Sequence, residues 1–123
     1  MAKRILVVDD DEMVLIALNE LLSPKGYEVE TVAGGKEALE RLADHSYDLL
    51  MLDVIMPEMD GFELCKRVRQ IKEYSKTPIV FLTAKSAEED KVRGLEAGAN
   101  LFLSKPISPE KLLSIIAEAL GSG

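Results

Sequence analysis

The stretch ILVVDDD, at residues 5–11, is the best guide to the fold of this chain. Its first four residues are apolar at every position, which is typical of a strand buried on both faces of a parallel sheet. Three aspartates follow directly. Two later runs have the same character, since LLML at residues 49–52 precedes Asp53 and IVFL at residues 79–82 precedes Thr83. The pattern predicts three central parallel strands, each ending at a polar residue.

Two weaker segments complete a predicted set of five strands. Residues 27–32 alternate as an edge strand does, and residues 100–103 form a second short segment before Lys105. Apolar residues at helical spacing follow each strand. They lie within residues 14–22, 38–42, 64–71, 92–95 and 112–120. Because crossovers between parallel strands are right-handed, five strand–helix repeats predict a doubly wound α/β sheet.

Polar residues before the helical segments indicate where three helices begin. Asp11 is expected to cap the first helix. Ser86 followed by Glu89 has the spacing of a capping box and predicts the start of the fourth helix. Ser108 followed by Pro109 predicts a cap and a first-turn proline for the fifth helix.

Length, charge and cysteine content narrow the class of protein. A chain of 123 residues fits one domain, expected at residues 1–120 with a tail or linker remnant at 121–123. A net charge of −7 argues against direct binding to nucleic acid. One cysteine, no signal-peptide pattern and no apolar run of membrane length predict a cytoplasmic protein without a membrane partner.

The polar residues at the strand ends are expected to meet at one edge of the sheet, where such folds bind ligands. They are Asp9, Asp10, Asp53, Thr83 and Lys105. Two unit charges about 4 Å apart repel by roughly 4 kcal/mol at an effective dielectric near 20, so clustered carboxylates call for a cation. Oxygen ligands suit Mg²⁺ or Mn²⁺. The same residues suit a phosphoryl group on Asp53, with Lys105 paired to Asp53 before transfer.

Four motifs of this chain resemble the receiver domain of bacterial two-component response regulators. In chain order they are VVDDD at 7–11, LDVIMPEMDG at 52–61, LTA at 82–84 and SKP at 104–106. The resemblance covers roughly residues 4–120. It implies a flavodoxin-like (βα)5 sandwich whose parallel sheet has the order 2-1-3-4-5.

The resemblance also implies a role for each residue of the predicted site. Asp53 would be the phosphoacceptor, Asp10 would bind Mg²⁺ directly, and Asp9 would bind it mainly through water. The backbone carbonyl of Ile55 would be a further ligand, which is compatible with an apolar side chain at that position.

Three more features follow from the same resemblance. Thr83 and Lys105 would contact the phosphoryl group, and Phe102, where the family often has tyrosine, would be the aromatic residue that turns inward. The peptide bond between Lys105 and Pro106 would be cis.

The function implied is a phosphorylation-dependent switch without enzymatic turnover of its own. A histidine kinase or phosphotransfer domain would donate the phosphoryl group. The change would be read at the fourth helix, fifth strand and fifth helix by a downstream protein or a fused output domain. Both a monomer and a phosphorylation-promoted dimer are compatible with this scheme.

Three alternatives have to be weighed against the switch. An aspartyl-phosphate phosphatase of the haloacid-dehalogenase kind needs a second aspartate two residues after the nucleophile, where this chain has Ile55. A flavin carrier on the same fold would need a glycine- and hydroxyl-rich loop after the first strand, where this chain has aspartates. A receiver-like scaffold that binds partners without phosphorylation remains open.

Other polar residues are expected to be structural. Cys65 is predicted to be a buried thiol and His45 a helix-end residue. A basic cluster is predicted to be a solvated helix face; it consists of Lys66, Arg67, Arg69 and Lys72.

Overall fold

Five parallel strands form one sheet in the computed structural model, which describes residues 2–121. In chain order they are β1 (Arg4–Val8), β2 (Glu28–Val32), β3 (Leu49–Leu52), β4 (Ile79–Thr83) and β5 (Leu101–Ser104). Across the sheet the order is β2-β1-β3-β4-β5. The predicted doubly wound architecture and its strand order are confirmed. The domain limits at 1–120 stay a prediction, and the tail predicted at 121–123 lies, apart from Gly121, outside the described residues.

Five α-helices within the described residues cover the two faces of the sheet. They are α1 (Glu12–Leu22), α2 (Gly35–Asp44), α3 (Gly61–Gln70), α4 (Glu88–Glu96) and α5 (Pro109–Ala119). One buried cluster joins α1 and α5 to the sheet through Leu18 and Ile116, and the other joins α2 and α3 through Ala38 and Val68. Within residues 2–121 no helix has the length and apolar character needed to cross a membrane.

The apolar runs of the sequence form the centre of the sheet. Strands β3 and β4 are buried at every residue, and β1 is buried at all but its first. The edge strands β2 and β5 are only partly buried. Each edge strand begins one residue later than predicted, because an edge segment has fewer neighbours to define its ends.

Side-chain caps begin α1 and α5 as the sequence predicts. A carboxylate oxygen of Asp11 accepts a hydrogen bond from the Met13 amide at 2.9 Å, and the Ser108 hydroxyl accepts one from the Lys111 amide at 3.2 Å. These bonds satisfy backbone donors that have no partner in the first helical turn.

The capping box predicted for α4 is wrong. Ala87, with an extended backbone, is the N-cap residue, and no side chain caps the helix. Ser86 therefore lies one position too early for its hydroxyl to reach the first-turn amides. The helix starts instead with three acidic residues at 88–90, which favour a helix N-terminus through its dipole.

The orientation of α4 also differs from its apolar pattern. Val92 and Leu95 mark the helix in the sequence, yet they are 47% and 44% exposed. The residues that face the sheet are Asp90 and Gly94. The small residue allows a close approach of the helix to Phe102 of β5, and this orientation leaves the two aliphatic side chains partly exposed.

Arg69 departs from the solvated face predicted for the basic cluster. Its guanidinium donates to the carbonyl oxygens of Gly98, Tyr74 and Thr77 at 2.9, 2.7 and 2.7 Å. It also donates to Oδ1 of Asn100 at 2.9 Å. Arg69 therefore ties the end of α3 to the turn between α4 and β5.

The predictions for Cys65 and His45 are confirmed. The Cys65 thiol is buried, donates to the carbonyl oxygen of Ala97 at 3.4 Å, and has its pKa raised to about 11 by burial. His45 is the C-cap residue of α2.

Candidate functional site

The carboxyl edge of the sheet brings the predicted carboxylates together. Asp9 and Asp10 follow β1, and Asp53 follows β3, which lies next to β1 in the sheet. One carboxylate oxygen from each of the three residues lies within 4.8 Å of the others. The structure thus forms the acidic cluster from residues far apart in the sequence.

Asp9 is the most buried member of this cluster, with 2% of its surface exposed. Its Oδ1 accepts a hydrogen bond from the Asp11 amide at 2.9 Å, and its Oδ2 accepts one from Nζ of Lys105 at 3.1 Å. Burial raises the pKa of Asp9 above its ordinary value, although both hydrogen bonds act in the opposite direction.

The partner of Lys105 is Asp9, not Asp53 as the sequence analysis expects. The ion pair joins Lys105 and Asp9, and no ion pair of Asp53 occurs within residues 2–121. Both aspartates lie at the same sheet edge. Which of them pairs with Lys105 therefore depends on side-chain packing, which the spacing of the motifs in the sequence does not reveal. The more deeply buried carboxylate gains more from an adjacent cation.

Asp53 is half-buried and is held mainly through its backbone. Its amide donates to the Val8 carbonyl oxygen at 3.0 Å, and its Oδ1 accepts from the Val54 amide at 2.8 Å. Its Oδ2 accepts no hydrogen bond from residues 2–121.

Gly61 fixes the backbone next to Asp53, a role that sequence analysis missed. A Cβ atom at position 61 would lie 2.0 Å from the carbonyl oxygen of Asp53. Only glycine allows this approach, and the Gly61 amide donates to the Val54 carbonyl oxygen at 2.8 Å. The Asp60-Gly61 pair, which stands at the start of α3, is the signal in the sequence that points to it.

Thr83 and Lys105 are adjacent across the sheet. The Lys105 amide donates to the Thr83 carbonyl oxygen at 2.8 Å. The Thr83 side chain is buried, and its Oγ1 accepts from the Lys85 amide at 3.2 Å. Its hydroxyl proton can still be donated to an acceptor at the sheet edge.

The remaining predicted residues occupy different environments. Phe102 is buried, whereas the Ile55 side chain is 59% exposed. The inward turn that the resemblance implies for Phe102 stays a prediction. The bond between Lys105 and Pro106 is cis, as expected. Glu58, in the loop after Asp53, has a φ of 70°, an uncommon conformation for a residue other than glycine.

The donor set fits a hard divalent cation. All three side chains of the cluster offer carboxylate oxygens, and Asp10 is exposed with no hydrogen-bond partner for its carboxylate within residues 2–121. A few carboxylates at a solvent-accessible edge match Mg²⁺, which retains several water ligands. The arrangement could therefore hold a dication beside a reactive carboxylate oxygen of Asp53.

Comparison with known proteins shows the family of this chain. The family model of the response regulator receiver domain matches residues 5–117. The alkaline phosphatase synthesis transcriptional regulatory protein PhoP of Bacillus subtilis is 46% identical over 112 residues, which are 91% of this chain and 46% of that protein. This chain spans about half the length of the curated relatives it matches.

Solved structures of similar length match over nearly the whole chain. Chemotaxis protein CheY4 of Vibrio cholerae has a TM-score of 0.92 and 39% identity, with 97% of this chain and 99% of that chain covered. A CheY-like receiver domain protein of Methanospirillum hungatei has a TM-score of 0.92 and 33% identity, with 98% and 95% covered. With the fold, the acidic cluster and the family model in agreement, this chain belongs to the response regulator receiver domain family.

Proposed function

We propose that this chain is a signalling switch in which Asp53 accepts a phosphoryl group from a histidine kinase or a phosphotransfer domain. The observation that carries the proposal is the acidic cluster, whose three carboxylates approach within 4.8 Å at the sheet edge. Lys105 lies at the same edge, 3.1 Å from Asp9. Carboxylates and an ammonium in this arrangement suit phosphoryl transfer, which depends on positioning and on charge compensation.

In the transfer step, Asp53 is the nucleophile. Its free Oδ2 attacks phosphorus and forms an O–P bond, while the N–P bond of the phosphohistidine breaks and its electron pair stays on the imidazole nitrogen. The hydrogen bond from the Val54 amide to Oδ1 holds the carboxylate in one orientation. The contact of Gly61 with the Asp53 carbonyl oxygen holds the backbone beneath it.

Asp10 and Asp53, together with the backbone carbonyl of Ile55, would hold Mg²⁺ directly, with Mn²⁺ as a substitute. Bound there, the ion supplies positive charge to a phosphoryl oxygen. Asp9 would act mainly through water, since both of its oxygens already accept hydrogen bonds.

Thr83 and Lys105 stabilise the other phosphoryl oxygens in this proposal. The Thr83 hydroxyl donates to one oxygen and the Lys105 ammonium pairs with another, once it leaves Asp9. In this proposal the Thr83 side chain moves toward the phosphoryl group, which breaks the hydrogen bond from the Lys85 amide and alters the loop that leads into α4. Phosphorylation thus reaches the surface formed by α4, β5 and α5.

The chain acts as a switch and not as a phosphatase. Ile55, at the place where a phosphatase of the haloacid-dehalogenase kind carries its acid–base residue, has no titratable group. We propose a cytoplasmic protein that signals to a downstream protein or to a fused output domain, as a monomer or as a phosphorylation-promoted dimer.

Intact-mass spectrometry after incubation with acetyl phosphate and Mg²⁺ tests the acceptor. The chain is expected to gain the mass of one phosphoryl group, and Asp53→Asn is expected to gain none. Asp44→Asn, an exposed aspartate at the end of α2, is the matched control and keeps the gain. A phosphoryl mass on Asp53→Asn would show that the acceptor lies elsewhere.

A further inference from the structure

The ring of Phe102 occupies a defined space between α4 and β4, which we call the Phe102 seat. The Phe102 ring packs against the Phe81 ring, with the ring centroids 5.6 Å apart and the planes tilted by 42°. Gly94 of α4 also packs against the Phe102 ring. The ring is 9% exposed in this position. A tilted pair at this distance is a favourable aromatic contact in addition to the burial itself.

Gly94 is the residue that leaves room for the ring. A Cβ atom at position 94 would lie 2.7 Å from Cδ2 of Phe102 and 3.3 Å from Cδ2 of Phe81. The first distance is too short for a real contact, so any side chain at this position displaces Phe102 or lifts the helix. Glycine is otherwise unfavourable in the middle of a helix, and the seat gives a reason for its presence there.

Side-chain hydrogen bonds from α3 hold the C-terminal end of α4. The Cys65 thiol donates to the Ala97 carbonyl oxygen at 3.4 Å, and Arg69 donates to that of Gly98 at 2.9 Å. The other end of α4, after Ala87, has no side-chain cap. Side-chain hydrogen bonds therefore hold the C-terminal end of α4, a few residues after Gly94, and not its N-terminal end.

We propose that Gly94 is a positioning residue that holds Phe102 inward before phosphorylation, so that the signal from Asp53 reaches α4 without rotation of this ring. The proposal rests on the proposed function, since it takes Asp53 as the origin of the signal. Phe102 has no hydroxyl to gain a hydrogen bond with solvent by turning outward, and leaving the seat would expose its apolar ring. The movable connection is the bond between the Thr83 hydroxyl and the Lys85 amide.

Nuclear magnetic resonance of the phenylalanine rings tests the resting position. The chain has three phenylalanines, and a Phe102→Leu variant assigns the Phe102 signals. Nuclear Overhauser contacts between the Phe102 ring and the α-protons of Gly94 are expected in the untreated protein. A ring that lacks these contacts and is broadened by a soluble paramagnetic agent would overturn the proposal.

The same sample, treated with acetyl phosphate and Mg²⁺, tests whether the Phe102 ring keeps its position after phosphorylation. The Phe102 contacts are expected to persist, while the Lys85 amide signal shifts. Ring contacts that appear only after treatment would overturn the proposal. Intact mass is measured in parallel; without a phosphoryl gain the proposed function and the phosphorylation clause both fail, and the untreated protein still decides the role of Gly94.

A Gly94→Ala variant separates positioning from general packing. It is expected to lose the contacts between the Phe102 and Phe81 rings and to increase the exposure of Phe102 severalfold. Combining Gly94→Ala with Phe102→Leu is expected to restore most of the lost melting temperature, because the smaller side chain removes the clash. Gly34→Ala, where a new Cβ meets nothing within 4 Å, is the matched control and leaves Phe102 in its seat. An unchanged Phe102 ring in Gly94→Ala would contradict the proposal.

Discussion

Nζ of Lys105 lies 3.1 Å from Oδ2 of Asp9, so that the cation of this site is paired with its most buried carboxylate. A metal ion bound by the cluster and the Lys105 ammonium are therefore competitors for the same negative charge. The pairing offsets part of the repulsion among the three aspartates. It also implies that ion binding and the release of Lys105 are linked.

Removal of this competitor is expected to strengthen Mg²⁺ binding. Lys105→Met should lower the dissociation constant for Mg²⁺ by about tenfold, which corresponds to about 1.4 kcal/mol. Isothermal titration calorimetry measures the dissociation constant of each protein for Mg²⁺. Lys111→Met removes an equal charge from an exposed position on α5 and should leave the constant unchanged. Equal constants for wild type and Lys105→Met would contradict the competition.

Mg²⁺ at millimolar concentration is expected to raise the melting temperature of the chain. A ligand that binds only the native state stabilises it, by about 2.7 kcal/mol at a hundred times the dissociation constant. Asp10→Ala should abolish the shift in a thermal scan. Asp11→Ala, the helix cap one residue later, should lower the melting temperature yet keep the Mg²⁺ effect. A shift retained in Asp10→Ala would remove Asp10 from the metal site.

Arg69 is expected to be far more important for stability than its neighbour Arg67. Arg69→Met leaves three carbonyl oxygens without their donor, while Oδ1 of Asn100 keeps the hydrogen bond from the Ile79 amide. The substitution should lower the free energy of unfolding by about 3 kcal/mol. Arg67→Met breaks an exposed pair with Glu63 and should cost less than about 1 kcal/mol. Urea denaturation measures the free energy of unfolding of both variants. Equal losses would mean that the acceptors of Arg69 are satisfied by water.

Glu30 gives the chain a stability that depends on pH. The Tyr47 hydroxyl donates to it at 2.7 Å and, with Arg4 and Arg41, holds the pKa of Glu30 below its ordinary value of 4.5. Because the folded pKa is the lower one, this stabilisation is present above pH 4.5 and is lost as the pH falls through the folded pKa.

Replacement of Glu30 by glutamine measures this contribution. Glu30→Gln should lower the free energy of unfolding by about 1–2 kcal/mol at neutral pH. Denaturation of both proteins at about pH 7 and about pH 3 should show the difference shrinking in acid, as the glutamate of the wild type becomes protonated. A difference that stays constant would assign the effect to shape and not to charge.

The sequence predicts the centre of the fold and the location of the site, because both depend on strong local signals. Runs that are apolar at every residue, such as residues 49–52, are compatible with a sheet covered on both faces, and the polar residues after them must meet at one edge. The resemblance of four motifs to a known family then gave the strand order, which short apolar runs by themselves leave open.

The features that could not be predicted depend on which side chains meet after folding. The motifs place Lys105 at the same sheet edge as Asp9 and Asp53, and only the packed structure shows that it pairs with Asp9. Arg69 has the spacing of a surface residue, yet its acceptors come from turns distant in the sequence. At α4, Ser86 satisfies the capping pattern, but a tight approach at Gly94 fixes the helix in another position.

The close contact of Gly61 with the Asp53 carbonyl oxygen has a mechanical consequence. A group added to Asp53 cannot be accommodated by a shift of the backbone toward α3, since no free space exists on that side. A Cβ atom at position 61 would also lie 2.8 Å from the Phe81 ring of β4, so β4 packs closely against the same glycine. Gly61 therefore restricts the directions in which the backbone at Asp53 can relax when a group is added.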